Sequence, residues 1–231
     1  MSTPVPSPNP GGLFIFVELG AETTEAEFHD INEKEHDPPR MALPEFVGAT
    51  RYRAIDGQKP TWLNLVSISD LSVIGSPPIV AIMEQRSERE AKMSKAFSGL
   101  ERRVCSLVYD SLSDPSAPKV EAKPGVAVIV GLNTSDPDGL DRWYNEEHLA
   151  LIRTVPGWVR TRRYKFVDGG LVGFMEGKVI PTFTTVSEFT SEDVLASEEL
   201  KKAGSTEWRD KVMKDVTFIE RRAFKAYKVL A

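Results

Sequence analysis

The chain has 231 residues, 41% hydrophobic and 27% charged, with a formal net charge of -5. These globular values exclude a disordered or fibrous chain, and the mild acidity excludes the clustered basic footprint of a nucleic-acid binder. A single cysteine, Cys105, rules out an internal disulfide, no Cys/His pattern has zinc-ligand spacing, and no run of about 18 apolar residues could span a bilayer.

The N-terminus, MSTPVPSPNPGG, lacks the positive and apolar regions of a signal peptide, so residues 1–11 read as a flexible leader and a cytoplasmic location is expected. GGLFIFVEL is the first predicted strand. TTEAEFHDINEKEH follows as a helix with Thr and acidic residues in its first turn, and DPPR predicts that it ends near Asp37, because proline disfavours a helical residue before it. EFVGATRYRAI alternates as a strand closed by an Asp56-Gly57 turn, and TWLNLVSIS returns beside it. IVAIMEQRSEREAKMSKAFS is helical, and RRVCSLVYDSL completes a first unit over residues 12–112.

Residues 113–124, rich in Pro and Ser, form a linker. The same order then recurs over residues 125–231: strand GVAVIVGL, helix SDPDGLDRWYNEEHLALIRT, strand GWVRTRRYKFV closed at Asp168-Gly169, strand TFTTVSEF, helical EDVLASEELKKAGSTEWRDKVM and strand ERRAFKAYKVL.

The recurrence extends to individual residues. A shift of 112 superposes Glu35, His36, Pro44, Val47, Arg51, Tyr52, Asp56 and Gly57 on Glu147, His148, Pro156, Val159, Arg163, Tyr164, Asp168 and Gly169, eight identities in 23 positions. Average composition would give roughly one or two. Pro60-Thr61-Trp62 meets Pro181-Thr182-Phe183 at a shift of 121, and Glu101-Arg102-Arg103 meets Glu220-Arg221-Arg222 at 119. The chain therefore reads as a duplication. Its expected fold is α+β: two tandem ferredoxin-like βαββαβ units, packed sheet to sheet because each sheet must cover an apolar face. Such a chain is a monomer with an internal pseudo-dimer, or a homodimer.

His148 is the leading candidate acid/base. Tyr144 at i−4 and Leu151, Ile152 and Val155 at i+3, i+4 and i+7 put it on an apolar helical stripe facing the sheet, and imidazole exchanges a proton near neutral pH. The alternative is a structural histidine satisfied by a neighbouring carbonyl. Alternation puts Trp158, Arg160, Arg162, Tyr164 and Phe166 on one strand face. If that face meets the helices, Tyr164 joins Tyr144 as a catalytic phenol able to bind an enolate oxygen, while Trp143, Trp158, Ile152 and Phe166 wall a substrate cavity. Against this stands the ordinary enrichment of aromatics in strands.

His36, Asn32 and Tyr52 hold the matching places of a degenerate or second site, and His29 is expected on the solvated face. The Glu-Arg-Arg triplets are expected to form ion pairs across the sheet. GGLVGFMEGKVI lengthens the second hairpin and suits a lid.

The phrase Tyr144, His148, Pro156, Arg163-Tyr164, repeated as Asn32, His36, Pro44, Arg51-Tyr52, resembles the dimeric α/β-barrel superfamily, and within it the EthD-like branch in its tandem-fused fungal form. That superfold hosts decarboxylases, dehydratases, polyketide cyclases, lactone isomerases and cofactor-free oxygenases, so the resemblance implies a fold more strongly than an activity. The expected function is a cofactor-free lyase or isomerase (decarboxylase, dehydratase or cyclase type) acting on a polyketide-like aromatic or lactone. The alternative is a non-catalytic small-molecule-binding or stress-related protein. No cofactor, metal, nucleic acid or membrane partner is expected, and a haem-binding reading would need an acidic partner for a proximal histidine.

Overall fold

In the computed structural model, residues 8–230 are described; most of the expected leader, residues 1–7, lies outside them. Each unit has the expected βαββαβ order. The first comprises β1 (Gly11–Glu18), β2 (Phe46–Ala54), β3 (Trp62–Ile68) and β4 (Gly99–Asp110); the second comprises β5 (Val126–Thr134), β6 (Trp158–Gly173), β7 (Phe183–Phe189) and β8 (Val216–Leu230). The two sheets face each other and are also hydrogen bonded edge to edge, in a closed barrel of order β1-β3-β2-β8-β5-β7-β6-β4. The β2–β8 and β4–β6 pairs are the two seams. Alternate side chains fill the lumen, among them Phe14, Phe16, Tyr52, Leu65, Ile129, Tyr164 and Phe224, and the helices cover the outside.

The helix before the second strand of each unit is broken in the same place. In the first unit α1 (Glu25–Ile31), capped by the Thr24 side chain, passes into a π-helical turn at Asn32–His36 and then α2 (Asp37–Met41). The expectation that this helix stops near Asp37 is corrected. The π turn starts a new hydrogen-bond register, so Pro38 and Pro39 occupy a first turn whose amides need no helical acceptor. After β3 come α3 (Pro77–Glu84) and α4 (Glu88–Lys95). In the second unit α5 (Pro137–Trp143) is capped by Asp136, which accepts from Gly139 N at 2.9 Å. A π turn at Tyr144–His148 leads into α6 (Leu149–Arg153). Then α7 (Glu198–Ala203) and α8 (Glu207–Val212) close the layer.

Asp56-Gly57 turns as expected, Gly57 taking φ 72°, but Asp168-Gly169 does not. β6 continues to Gly173, pairing Gly169 with Arg103 and Gly173 with Gly99, because the twelve-residue β4 offers it an edge to extend along. The first five residues of the insertion, 169–173, are therefore strand. Its tip, with the buried Met175, borders a barrel-mouth cavity beside Arg103 and Arg222, and no residue of the insertion borders the cavity beside His148.

The Glu-Arg-Arg triplets tie the units together. Arg103 is 1% exposed, pairs with Glu101 and with Glu220 of the other unit (Nη2 to Oε1, 2.7 Å), and stacks over Phe16. Arg222 donates to Asp56 Oδ2 and to the Pro60 carbonyl across the seam, both at 2.9 Å. Arg103→Ala strands the buried Glu101 carboxylate, so a loss of about 3–5 kcal/mol is expected in urea unfolding, against under about 1 kcal/mol for Arg102→Ala, whose Asp168 pair is solvated. Equal losses would contradict this role.

Candidate functional site

The second unit holds a cavity of about 340 Å³ between its helices and the outer face of its sheet, small but within the range of ligand sites. Val128, Val130 and Leu132 of β5 and Thr185, Ser187 and Phe189 of β7 form its floor, and Trp143, Tyr144, His148 and Ile152 one wall. Lys201, Arg209 and Arg221 also border it, and among the described residues that line it there is no carboxylate.

The π turn puts Tyr144 and His148 at the cavity together, and such single-turn bulges recur at functional sites. The His148 ring stacks on Trp143 (centroids 4.3 Å, 27°) and meets Tyr144 edge-on (5.2 Å, 87°). Its Nδ1 lies 3.1 Å from the Ala203 carbonyl at the end of α7; a carbonyl only accepts, so Nδ1 carries the proton. Nε2 has no hydrogen-bond partner among the described residues. Burial lowers the imidazole pKa to about 4, with the Ala203 bond and Glu147 offsetting only part of that effect. At neutral pH His148 is uncharged, a base or acceptor and not an acid, which narrows the acid/base role expected from the sequence.

Thr185 Oγ1 donates to the Tyr144 oxygen at 2.9 Å, leaving the phenolic proton for another acceptor. Burial raises the Tyr144 pKa, and Arg163, whose guanidinium lies 3.9 Å from the ring centroid, acts against that rise. Arg163 is held by Asp141 at 2.5 Å. Trp143 Nε1 donates to Glu147, which also accepts from Thr206 (2.9 and 2.6 Å), fixing the aromatic wall to the start of α8.

Of the sequence candidates, Trp143, Tyr144, His148 and Ile152 meet at this cavity and three others do not. Tyr164 lies in the lumen, and Phe166 packs against the lumen cluster. Trp158 is on the helix side, packed with Ile152 and Phe189, but does not border the cavity. Strict alternation had put these three on one face; a register shift between Trp158 and Arg160 turns Trp158 to the opposite one.

The first unit is filled differently. Asn32 Nδ2 donates to the Phe28 carbonyl at 2.7 Å. His36 Nδ1 lies 2.8 Å from the buried Glu90 carboxylate, which also pairs with Arg40 at 3.1 Å. A histidine with an acidic partner thus exists, 54 residues apart in sequence, but it does not border the His148 cavity. Tyr52 is in the lumen, donating to Glu188 at 2.7 Å. His29, expected in solvent, is half-buried against Trp62 and stacked on Tyr227 (4.0 Å). Sequence reasoning missed Arg163, Thr185 and the Ala203 carbonyl. Only Arg163 had a signal, its recurrence as Arg51, which likewise pairs with an acidic helix residue, Asp37, at 2.7 Å.

No family model and no curated protein matches the chain. Among solved structures it is similar to an anthrone oxidase-like protein (TM-score 0.65, 13% identity, covering 96% of this chain and 92% of that one). It is also similar to a mutant chlorite dismutase from Candidatus Nitrospira defluvii in complex with cyanide (0.58, 10%, 95% and 91%) and a proposed monooxygenase from Lactobacillus acidophilus NCFM (0.54, 12%, 96% and 96%). At these identities the likeness establishes the fold, a ferredoxin-like barrel of the dimeric α/β-barrel type. No helix among the described residues is long and apolar enough to cross a membrane.

The His148 environment has a direct pH consequence. A histidine whose folded pKa lies below its unfolded value near 6.5 makes the unfolded state bind more protons between the two, so its contribution to stability is lost as pH falls from about 6.5 to about 4. Proton-nitrogen NMR of the imidazole is expected to show the Nδ1–H tautomer at pH 6 and a midpoint near 4; a midpoint above 6 would refute the buried assignment.

Proposed function

We propose that the second-unit cavity binds a flat, mainly apolar phenolic, polyketide-like or lactone molecule, and that His148 and Tyr144 act on it as a proton-transfer pair without a cofactor. The observation that carries this reading is the His148 ring, held by the Ala203 carbonyl in the tautomer that leaves Nε2 basic, at a cavity that also holds a phenol with an uncommitted proton. Nε2 takes a proton from a carbon next to a carbonyl while the Tyr144 hydroxyl donates to the oxygen that gains charge. Arg163 under the Tyr144 ring and the cations bordering the cavity favour that charge. Enolate formation of this kind opens dehydration, cyclisation and isomerisation, and in decarboxylation, where the C–CO₂ bond supplies the electron pair, the Tyr144 hydroxyl would hold the same enolate oxygen. The name of the anthrone oxidase-like neighbour supports a fused-ring phenolic ligand. The repeated histidine phrase supports an EthD-like, tandem-fused assignment and a role in secondary metabolism, and the fused pairing of the two sheets suits a monomer with an internal pseudo-dimer, with a homodimer as the alternative.

A second reading, ligand binding without turnover, is favoured by the Ala203 bond itself, which is also what a histidine fastening helix to helix would make. The two separate on a carbon acid that fits the cavity. In D₂O the wild-type chain is expected to speed hydrogen-deuterium exchange at C1 of 2-tetralone, with His148→Ala lowering that rate by roughly 10² to 10⁴ and Tyr144→Phe by a smaller factor. His36→Ala is expected to lower the melting temperature with little change in rate. Saturable binding of 2-tetralone with no exchange would establish the second reading instead.

A further inference from the structure

A second cavity, of about 480 Å³, lies at one mouth of the barrel, on the opposite side of the sheet from His148, and the two units contribute matching positions to it. The repeat and the strand pairing equate Thr50 with Arg162 and Ser67 with Glu188: Thr50 pairs with Leu65 in β2–β3 as Arg162 pairs with Val186 in β6–β7, and Gly48 with Ser67 as Arg160 with Glu188. All four of Thr50, Ser67, Arg162 and Glu188 border the cavity. The first unit meets the demands of this place in the fold with two hydroxyl residues, whereas the second puts an ion pair there.

That pair is buried. Arg162 is 5% and Glu188 3% exposed. Arg162 Nη2 lies 3.0 Å from Glu188 Oε2, Nη1 donates to Ser67 Oγ at 2.9 Å, and Glu188 Oε1 accepts from Tyr52. Arg162 Nε–H is buried with no acceptor among the described residues, and Nη1 and Nη2 each carry a second N–H beyond these contacts. A buried ion pair adds little stability over an apolar filling, and a buried donor without an acceptor costs about 1–3 kcal/mol. The neighbouring Arg160 is already paired with Asp110, so the polar floor is close to neutral. Around it the wall is apolar, and Val47, Leu112 and Val229 remain exposed.

We propose that this barrel mouth is a second small-molecule site, for a neutral aliphatic molecule whose carbonyl oxygen accepts from an Arg162 Nη N–H at the cavity. A carboxylate is disfavoured, because Glu188 already neutralises the guanidinium and a further anion would be buried without a counter-charge. The test uses δ-octalactone as the neutral carbonyl probe and octanoate as its anionic counterpart, with the full chain. Titration with δ-octalactone is expected to give a saturable shift of the Arg162 guanidinium N–H resonances, with octanoate at least about tenfold weaker. The double variant Arg162→Thr, Glu188→Ser restores the residues the first unit uses and leaves no lone buried charge. It is expected to stay folded, with a melting temperature lowered by the loss of the Tyr52 acceptor, and to keep its 2-tetralone affinity at the His148 cavity while losing about tenfold to a hundredfold in lactone affinity. The proposal is overturned if lactone gives no saturable shift up to its solubility, if octanoate binds as well, or if the double variant binds lactone like the wild type.

Discussion

Everything in this molecule follows from the unpaired edges of a four-stranded sheet. In the order β4-β1-β3-β2, the outer strands β4 and β2 each present a row of amides and carbonyls with no partner, as do β6 and β8 in the second unit. Pairing β2 with β8 and β4 with β6 removes all four edges at once. Closure fixes where chemistry can occur. The lumen is filled by large side chains, so ligand space is left between helices and sheet, or at the barrel mouths where the lumen ends.

Outside the longer β6 of the second unit, the two sites differ chiefly by side chain. The π turn occurs in both, each ending on a histidine. At His36 the imidazole meets a buried carboxylate; at His148 it meets a backbone carbonyl and borders a cavity edged by cations. The carbonyl orients the ring without supplying the negative charge that would hold it protonated, which is why burial sets its pKa. A neutral imidazole, a phenol steadied by Thr185 and an arginine beneath that phenol are the parts that the proposed enolate chemistry uses. The barrel mouth repeats the lesson: one unit keeps hydroxyl residues where the other carries a salt bridge.

The fold was legible because the repeat gave the same order of strands and helices twice, and the Thr that opens the first helix is its cap. The site was legible where helical periodicity governs, and so Tyr144, His148 and Ile152 were found together. It was not legible in β6, where one irregularity between Trp158 and Arg160 reverses the alternation on which the placing of Trp158, Tyr164 and Phe166 depended. The Asp168-Gly169 pair failed as a turn signal because a distant strand, β4, offered hydrogen bonds to a longer β6. The Ala203 carbonyl and the Glu90 carboxylate lie more than fifty residues from the histidines they hold, and no local pattern carries such contacts.

The central claim is that the second unit's helix-to-sheet cavity does the work, with His148 Nε2 as its base. A crystal structure of the chain soaked with 2-tetralone tests it most directly. The account places the bicyclic ring against Trp143, C1 within about 3–3.5 Å of His148 Nε2 and the carbonyl oxygen at the Tyr144 hydroxyl. A ring seated beside His36, or one in the second unit with its carbonyl turned away from Tyr144 and His148, would contradict it.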